Sequence, residues 1–278
     1  LIKNTNTNSK KSKKYKNHDD YKLSSLFETN TSLPLMKKYS DTEHILNPKI
    51  SLRYSPNQTK NIKNNDNRID ISNIYSLNRI SSGETLESGG SITYGFDYSN
   101  SLNGREIFHS NVANIIRAKE NKDLPLNSKL GKKTSDIVGS LFFSPTQNLK
   151  FDYDFSLDEN LSEQNYQFFK SELSINKLVT SFEYLEEKNT LNKEHYWSNK
   201  TSYNFNDMNK LSYATRRNKK TKLTEFYSLI YEYQNDCLKA SLEYNKDYYS
   251  DRDLLPEENL FFKITIIPFA ESSSPNLR

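Results

Sequence analysis

In the stretch QNLKFDYDFSL, residues 147–157, Leu149, Phe151, Tyr153, Phe155 and Leu157 share one parity, and Lys150, Asp152, Asp154 and Ser156 share the other. A strict period of two is the mark of a β-strand whose faces differ in chemistry. The same pattern recurs along the chain. In SITYGFDY (91–98), Ile92, Tyr94, Phe96 and Tyr98 oppose Thr93, Gly95 and Asp97, and further back Ile50, Leu52 and Tyr54 oppose Ser51 and Arg53. In KLTEFYSLIYEY (222–233), Leu223, Tyr227, Leu229, Tyr231 and Tyr233 share a parity that only Glu225 interrupts. Helical periodicity is nearly absent. Many of these runs reach about ten residues, longer than the usual strand of a soluble protein.

The connections alternate as well. Short ones (NSLNG, SPTQ, Asn176, a break near Asp207, the turn at Asn235) interleave with long ones: AKENKDLPLNSKLGKK, LDENLSEQ, KNTLNK, RNKKT and YYSDRDLLPEE. They separate strands expected near 84–99, 104–117, 134–144, 148–157, 164–175, 177–187, 194–206, 208–217, 221–234, 236–247 and 258–269. Short and long in turn describe an up-and-down barrel with a turn rim and a loop rim. The polar parity carries Arg53, Asp97, Lys150, Asp152, Asp154, Lys239 and Glu243. So many ions cannot line a dry interior. They fit a wet lumen, with the Tyr/Phe/Leu/Ile parity facing lipid. The expected fold is all-β, an antiparallel up-and-down transmembrane β-barrel; a soluble β-solenoid or sandwich is the alternative.

Composition agrees once the aromatics are counted. With 34% hydrophobic and 27% charged residues and a mean hydropathy of −0.88, the chain would otherwise read as disordered. Disordered chains lack the 19 Tyr and 15 Phe found here. The net charge of +4 is modest, and its basic residues gather in apparent loops (Lys10 to Lys16, Arg216 to Lys222), which argues against a nucleic-acid partner. His18, His44, His109 and His195 have no ligand spacing, so neither a metal nor a cofactor is expected. No Walker-type phosphate loop occurs, and no nucleophile–base arrangement points to an enzyme. Residues 1–20 (LIKNTNTNSKKSKKYKNHDD) read as a flexible loop or truncated end, 21–269 as barrel, and 270–278 as a tail.

Four blocks carry a family resemblance: NPKISLRYSP (47–56), SLNRISSGETLESGGSITYG (76–95), SDIVGSLFFSP (135–145) and YQNDCLKASLEYNKDYYSDRDLLPEE (233–258). In this order and spacing they resemble the C-terminal barrel of the LptD (OstA/Imp) outer-membrane lipopolysaccharide-assembly family. The resemblance implies the later portion of a larger barrel, about thirteen strands, in the outer membrane of a Gram-negative bacterium with its C-terminus periplasmic. It implies a non-enzymatic role: sugars of lipopolysaccharide pass through the lumen while acyl chains leave sideways between first and last strands. Implied partners are lipopolysaccharide, an LptE-like plug lipoprotein, an LptA-like periplasmic bridge reached through an N-terminal domain, and the barrel-assembly machinery. A porin-like transport barrel and a soluble adhesin or sugar-binding protein are the rival functions.

The resemblance also assigns residues. Cys237, the only cysteine, reads from the sequence as a gap-filling residue, a reactive thiol or half of a bond to something outside this chain. The family implies a disulfide to an N-terminal periplasmic domain, although Asp236 stands where many members have a second cysteine. The last strand, NLFFKITIIPF, would form one wall of the lateral gate: Leu260, Phe262, Ile264 and Ile266 on one parity, Lys263 and Thr265 on the other. Pro268 ends that strand or weakens its seam, and Phe269 resembles a terminal assembly signal. Asn78, Arg79, Gly83 and Glu87 lie in the long segment before residue 89. They read either as an ordinary solvated loop or, by resemblance, as an ordered loop entering the lumen, where Arg79 and Glu87 pair with lumenal charges. Arg252 and Asp253 are expected to be structural ions of a later loop.

Overall fold

The computed structural model describes residues 2–5, 20–65, 67–82, 85–126, 129–188, 193–248 and 257–266. Of the residues singled out above, Gly83, Arg252, Asp253, Pro268 and Phe269 lie outside the described residues. The described residues contain strands and no α-helix. In the Asn/Lys-rich end, β1 (Ile2–Thr5) and β2 (Asp20–Leu23) form an antiparallel pair. The remaining strands belong to one sheet: β3 (Phe27–Ser32), β4 (Leu35–Lys38), β5 (Thr42–Ser55), β6 (Gly89–Leu102), β7 (Arg105–Arg117), β8 (Ile137–Thr146), β9 (Leu149–Leu157), β10 (Gln164–Ile175), β11 (Leu178–Glu187), β12 (His195–Asn204), β13 (Asn209–Asn218), β14 (Thr224–Gln234), β15 (Leu238–Asp247) and β16 (Glu258–Ile266). Their order is sequential, with β16 at one edge. β3 and β4 pair with opposite ends of β5, Phe27 opposite Tyr54 and Lys38 opposite Glu43, on either side of Leu33-Pro34. Fourteen strands therefore occupy thirteen positions. From β5 onward the strands run nine to fourteen residues, sufficient to cross a bilayer when tilted. This is the wall of an up-and-down transmembrane β-barrel.

Short and long connections alternate as the sequence predicts: Asn103-Gly104, Gln147-Asn148, Asn176-Lys177 and Asn235 to Cys237 are short, and 56–88, 118–136, 158–163, 188–194, 219–223 and 248–257 are longer. Asn103 (φ 51) and Gly104 (φ 77) are both left-handed, the conformation that an Asn-Gly hairpin turn requires. β6 starts at Gly89, later than the expected 84, and Glu87, just before it, lies in an ion cluster. Glu225, the exception in β14, sits where the β13–β14 register shifts; there it accepts hydrogen bonds from Arg216 and from Asn218 Nδ2 (2.9 Å). One extra residue in a strand re-aims a side chain, which removes the apparent breach of parity.

The chain forms two compact units. The first comprises Leu1–Phe143, Tyr153–Gln167 and Glu187–Lys193. Its strands reverse the solvation of a soluble sheet. On β5, Ile50, Leu52 and Tyr54 are 51%, 52% and 56% exposed, whereas Ser51, Arg53 and Ser55 are 4%, 6% and 1% exposed. Register carries both faces across. Leu52 lies opposite Ile92 and Ile92 opposite Ile116 on the apolar side, while Arg53 lies opposite Ser91 and Ser91 opposite Arg117 on the polar side. The polar side is covered from within the unit. Ile62, Ile69, Ile74 and Ile80 of connection 56–88, with Leu124 and Leu130 of connection 118–136, pack on Ala113, Ile115 and Val138. Gly95 makes this packing possible. A Cβ there would collide with the Val112 carbonyl and stand 2.6 Å from the Tyr75 hydroxyl.

The second unit comprises Ser144–Asp152, Phe168–Glu186 and Glu194–Arg278. Its apolar rows are also exposed. Tyr213 faces Leu229 and Leu229 faces Tyr244; Tyr231 faces Leu242 and Leu242 faces Phe262. The other parity carries Lys210, Glu232, Ser241 and Lys263 in one row.

Candidate functional site

The site with the most concentrated chemistry is a buried ion cluster between connection 56–88 and the polar side of β5–β7. Glu87 is its hub. Arg79 donates to it in a two-pronged pair, Nε to Oε2 and Nη2 to Oε1, each 2.6 Å. Arg53 Nη1 donates to Glu87 Oε2 at 3.2 Å, and Arg117 Nη1 donates to Oε1. Arg53 also donates to Glu28 Oε2 (2.9 Å) on β3 and to the carbonyls of Ser76 (2.9 Å) and Leu77. The other Arg79 contacts are Thr93 Oγ1 (2.9 Å) and Ser91 Oγ (2.7 Å), both on β6. Arg117 donates to the Ser88 carbonyl.

Three guanidiniums and two carboxylates are thus almost fully buried with a surplus of one positive charge. Burial would push the Glu87 carboxyl up. The guanidiniums of Arg79, Arg117 and Arg53 overcome that and hold it below the usual carboxylate range. Desolvation makes such a cluster a weak source of net stability. Removing one partner strands the others, however, so the cluster has a single low-energy arrangement. Its effect is positional: it staples the C-terminal end of connection 56–88 to three adjacent strands.

A second attachment holds the middle of the connection. The Arg68 guanidinium stacks 3.7 Å over the Tyr166 ring of β10 and reaches Glu187 (3.4 Å) and Asp70 (3.5 Å). Between the two attachments Tyr75 lies against Gly95, with Lys49 5.8 Å from its ring centre. Burial, and then the Asp97 carboxylate, push the Tyr75 phenol up to about 12.

Of the residues singled out in the sequence, Arg79 and Glu87 come together in the cluster, where Glu87 also accepts from the β5 and β7 arginines. Asn78 does not join them. It donates to the Ser82 carbonyl (3.1 Å) at the surface. Cys237 is a half-buried free thiol in the β14–β15 turn, where Asn235 Oδ1 accepts from its backbone N–H (3.0 Å) and from that of Leu238 (2.8 Å). Leu260, Phe262, Ile264 and Ile266 are 55–77% exposed on edge strand β16, and Lys263 and Thr265 face Ser241 and Lys239. Sequence reasoning missed Glu28, Arg68, Tyr75 and Arg117. Arg117 carried a usable signal, since it falls on the polar parity of a strand whose register partners are Ser91 and Arg53.

A family model described as LptD: LPS transport system D, matches residues 2–195. The match includes the first three resembling blocks and every member of the ion cluster; block 233–258 lies beyond it. No curated protein matches the chain. The match covers most of the sequence and coincides with an inside-out antiparallel wall, and the chain belongs to the LptD family of lipopolysaccharide-transport proteins.

Proposed function

We propose that the chain is wall, internal fixed segment and gate strand of an outer-membrane lipopolysaccharide translocon. The observation that carries this reading is the inverted wall of the first unit: apolar side chains exposed, arginines buried, and a connecting segment stapled over them. A phosphorylated glycolipid needs a wet path for its head and an apolar exit for its chains, since each would be costly to solvate in the other's medium. The polar parity supplies the first surface. The second is supplied by β16, an edge strand with Leu260, Phe262, Ile264 and Ile266 outward and Lys263 and Thr265 inward.

In this reading the short-turn rim lies in the periplasm and the long connections face outward. The C-terminus and Cys237 are then periplasmic, where a thiol can form a disulfide with an N-terminal domain. An LptE-like plug, an LptA-like bridge and the barrel-assembly machinery would complete the pathway. Pro268 would end the strand or loosen the seam, and Phe269 would mark the end of the barrel for assembly. Arg252 and Asp253 would be structural ions of an outer loop, and Gly83 would belong to the segment that carries Arg79 and Glu87.

Photoreactive residues at Ile264 and Lys263 in the full-length protein test the reading. Both positions should capture lipopolysaccharide in cells exporting it, and capture should stop when export is halted. Capture at neither position, with export intact, would rule out β16 as a gate wall.

A further inference from the structure

Connections 56–88 and 118–136 are bonded to each other as well as to the wall. Asn121 is the link: its Nδ2 donates to Thr59 Oγ1 (2.9 Å) and to Ser88 Oγ (3.0 Å), one near each end of the first connection. Beside it the backbones are tied, with the Ile62 N–H donating to the Asp123 carbonyl (2.8 Å) and the Leu126 N–H to the Lys63 carbonyl (3.2 Å). Gly131 lets the second connection fold tightly behind Asn121, whose N–H donates to the Gly131 carbonyl (2.8 Å); a Cβ at Gly131 would collide with the Asn121 carbonyl. The second connection also has anchors of its own. Asp136, almost fully buried, accepts through Oδ2 from Ser156 Oγ (3.0 Å) on β9 and from Asn165 Nδ2 (2.7 Å) on β10, with Lys129 Nζ 3.3 Å from Oδ1. Asn114 of β7 donates to the carbonyls of Ser135 (2.9 Å) and Asp136 (3.1 Å). These anchors are separate from the Glu87 cluster and from the Arg68 stack.

We propose that the two connections form a single cap, held from β9 and β10 through Asp136, that stays closed during export and is not a lid. A lid is drawn from segments with few buried contacts and needs a margin along which to lift. Here the margin of the first connection, Thr59 and Ser88, is occupied by Asn121. Lifting either connection alone would break the Asn121 bonds and both backbone ties, and would uncover the apolar cluster that Ile62, Ile69 and Ile74 share with Leu124 and Leu130. Lifting both together would in addition part Glu87 from Arg53 and Arg117 and strand buried charges. Asp136 is thereby a positioning residue for a connection to which, among the described residues, it makes no hydrogen bond or ion pair. The statement about export rests on the translocon reading above; the coupling of the two connections does not. In that reading the cap is a fixed part of the lumen, and the headgroup passes beside it.

Hydrogen exchange of the full-length protein in mild detergent, read by mass spectrometry, tests the coupling. In the wild type, peptides over 59–63 and 121–126 should be protected and should exchange together. Asp136→Ala should speed exchange in both several-fold while leaving β13 to β15 unchanged. Ser156→Ala, which removes a single bond to Asp136, should give a smaller change of the same pattern and serves where Asp136→Ala does not assemble. Acceleration confined to 121–126 would overturn the single cap. The closed state is tested in cells with a thiol in place of Ile74, which is 1% exposed. Ile74→Cys should resist a membrane-impermeant maleimide equally in exporting and export-arrested cells; labelling that appears only during export would overturn the proposal. The exchange readings need no export. Their failure is therefore distinct from a failure of the translocon reading, which capture at Ile264 and Lys263 reports.

Discussion

The polar parities of the two units use their ions differently. In the first, Arg53, Arg79 and Arg117 converge on one buried carboxylate. In the second, ions pair two by two between neighbouring strands and stay wet: Lys239 with Glu232 at 2.7 Å, the lysine 42% exposed, and Lys170 with Glu183 at 3.7 Å. The alternation that specifies strands is the same in both. The difference is a covering segment. Where connection 56–88 excludes water, each ion must find a fixed partner; where the described residues of the second unit leave the pairs partly exposed, water screens them and their geometry is optional. Substitution costs should therefore fall steeply from the first unit to the second.

Glu87→Gln should have the largest effect. It leaves three guanidiniums around a neutral amide, at a cost of about 3–5 kcal/mol if the segment stays in place. The expected result is a poorly assembling barrel, or one whose connection 56–88 becomes protease-sensitive, read by heat-modifiability and limited proteolysis. Gly95→Leu follows, at roughly 1–3 kcal/mol for overpacking; Tyr75 must leave its seat, and a rise in outer-membrane permeability to large antibiotics would report it. Arg68→Met should cost about 0.5–2 kcal/mol through loss of the stack on Tyr166. It should raise protease sensitivity near residue 68 while leaving the Glu87 end protected. Lys239→Ala is expected to change stability by no more than about 1 kcal/mol, the smallest effect of the set; a value several times larger would erase the contrast between the units.

The first unit should also respond to pH with a definite sign. Glu87 titrates below its unfolded value in the folded protein. Its contribution is therefore fully present above the ordinary carboxylate pKa of about 4.3 and is lost as pH falls through the lower folded value. Proteolytic release of connection 56–88 should stay flat from neutral to mildly acidic pH and rise only below the usual carboxylate range. Glu87→Gln should abolish that acid-dependent component.

The fold was legible because parity is a local property. Leu149 to Leu157 declare two faces without reference to any other strand, and the presence of ions on the polar face of strand after strand distinguishes a wet lumen from a dry core. The family resemblance drew attention to Arg79 and Glu87, but as partners of lumenal charges; that they pair with each other, eight residues apart, is a finding of the structure. Local reading did not extend to Arg68, whose carboxylate partner on β11 is 119 residues away, or to Glu28, which reaches Arg53 only because β3 pairs with β5. β6 begins at Gly89, a few residues after the alternation suggests. Glu225 is a breach of parity that the β13–β14 register shift resolves. Which ions a wall buries depends on what covers it, and the cover is a long-range feature.

The most direct test of an inside-out wall sealed on its polar side is a scan of single spin labels through β5 and β6 in lipid bilayers, comparing oxygen with a water-soluble relaxation agent. Labels at Ile50, Leu52, Ile92 and Tyr94 should be accessible to oxygen, whereas those at Ser51 and Thr93 should be shielded from both agents, with a period of two along each strand. Access of the water-soluble agent to Leu52 and Ile92, or a scan without that alternation, would contradict the account.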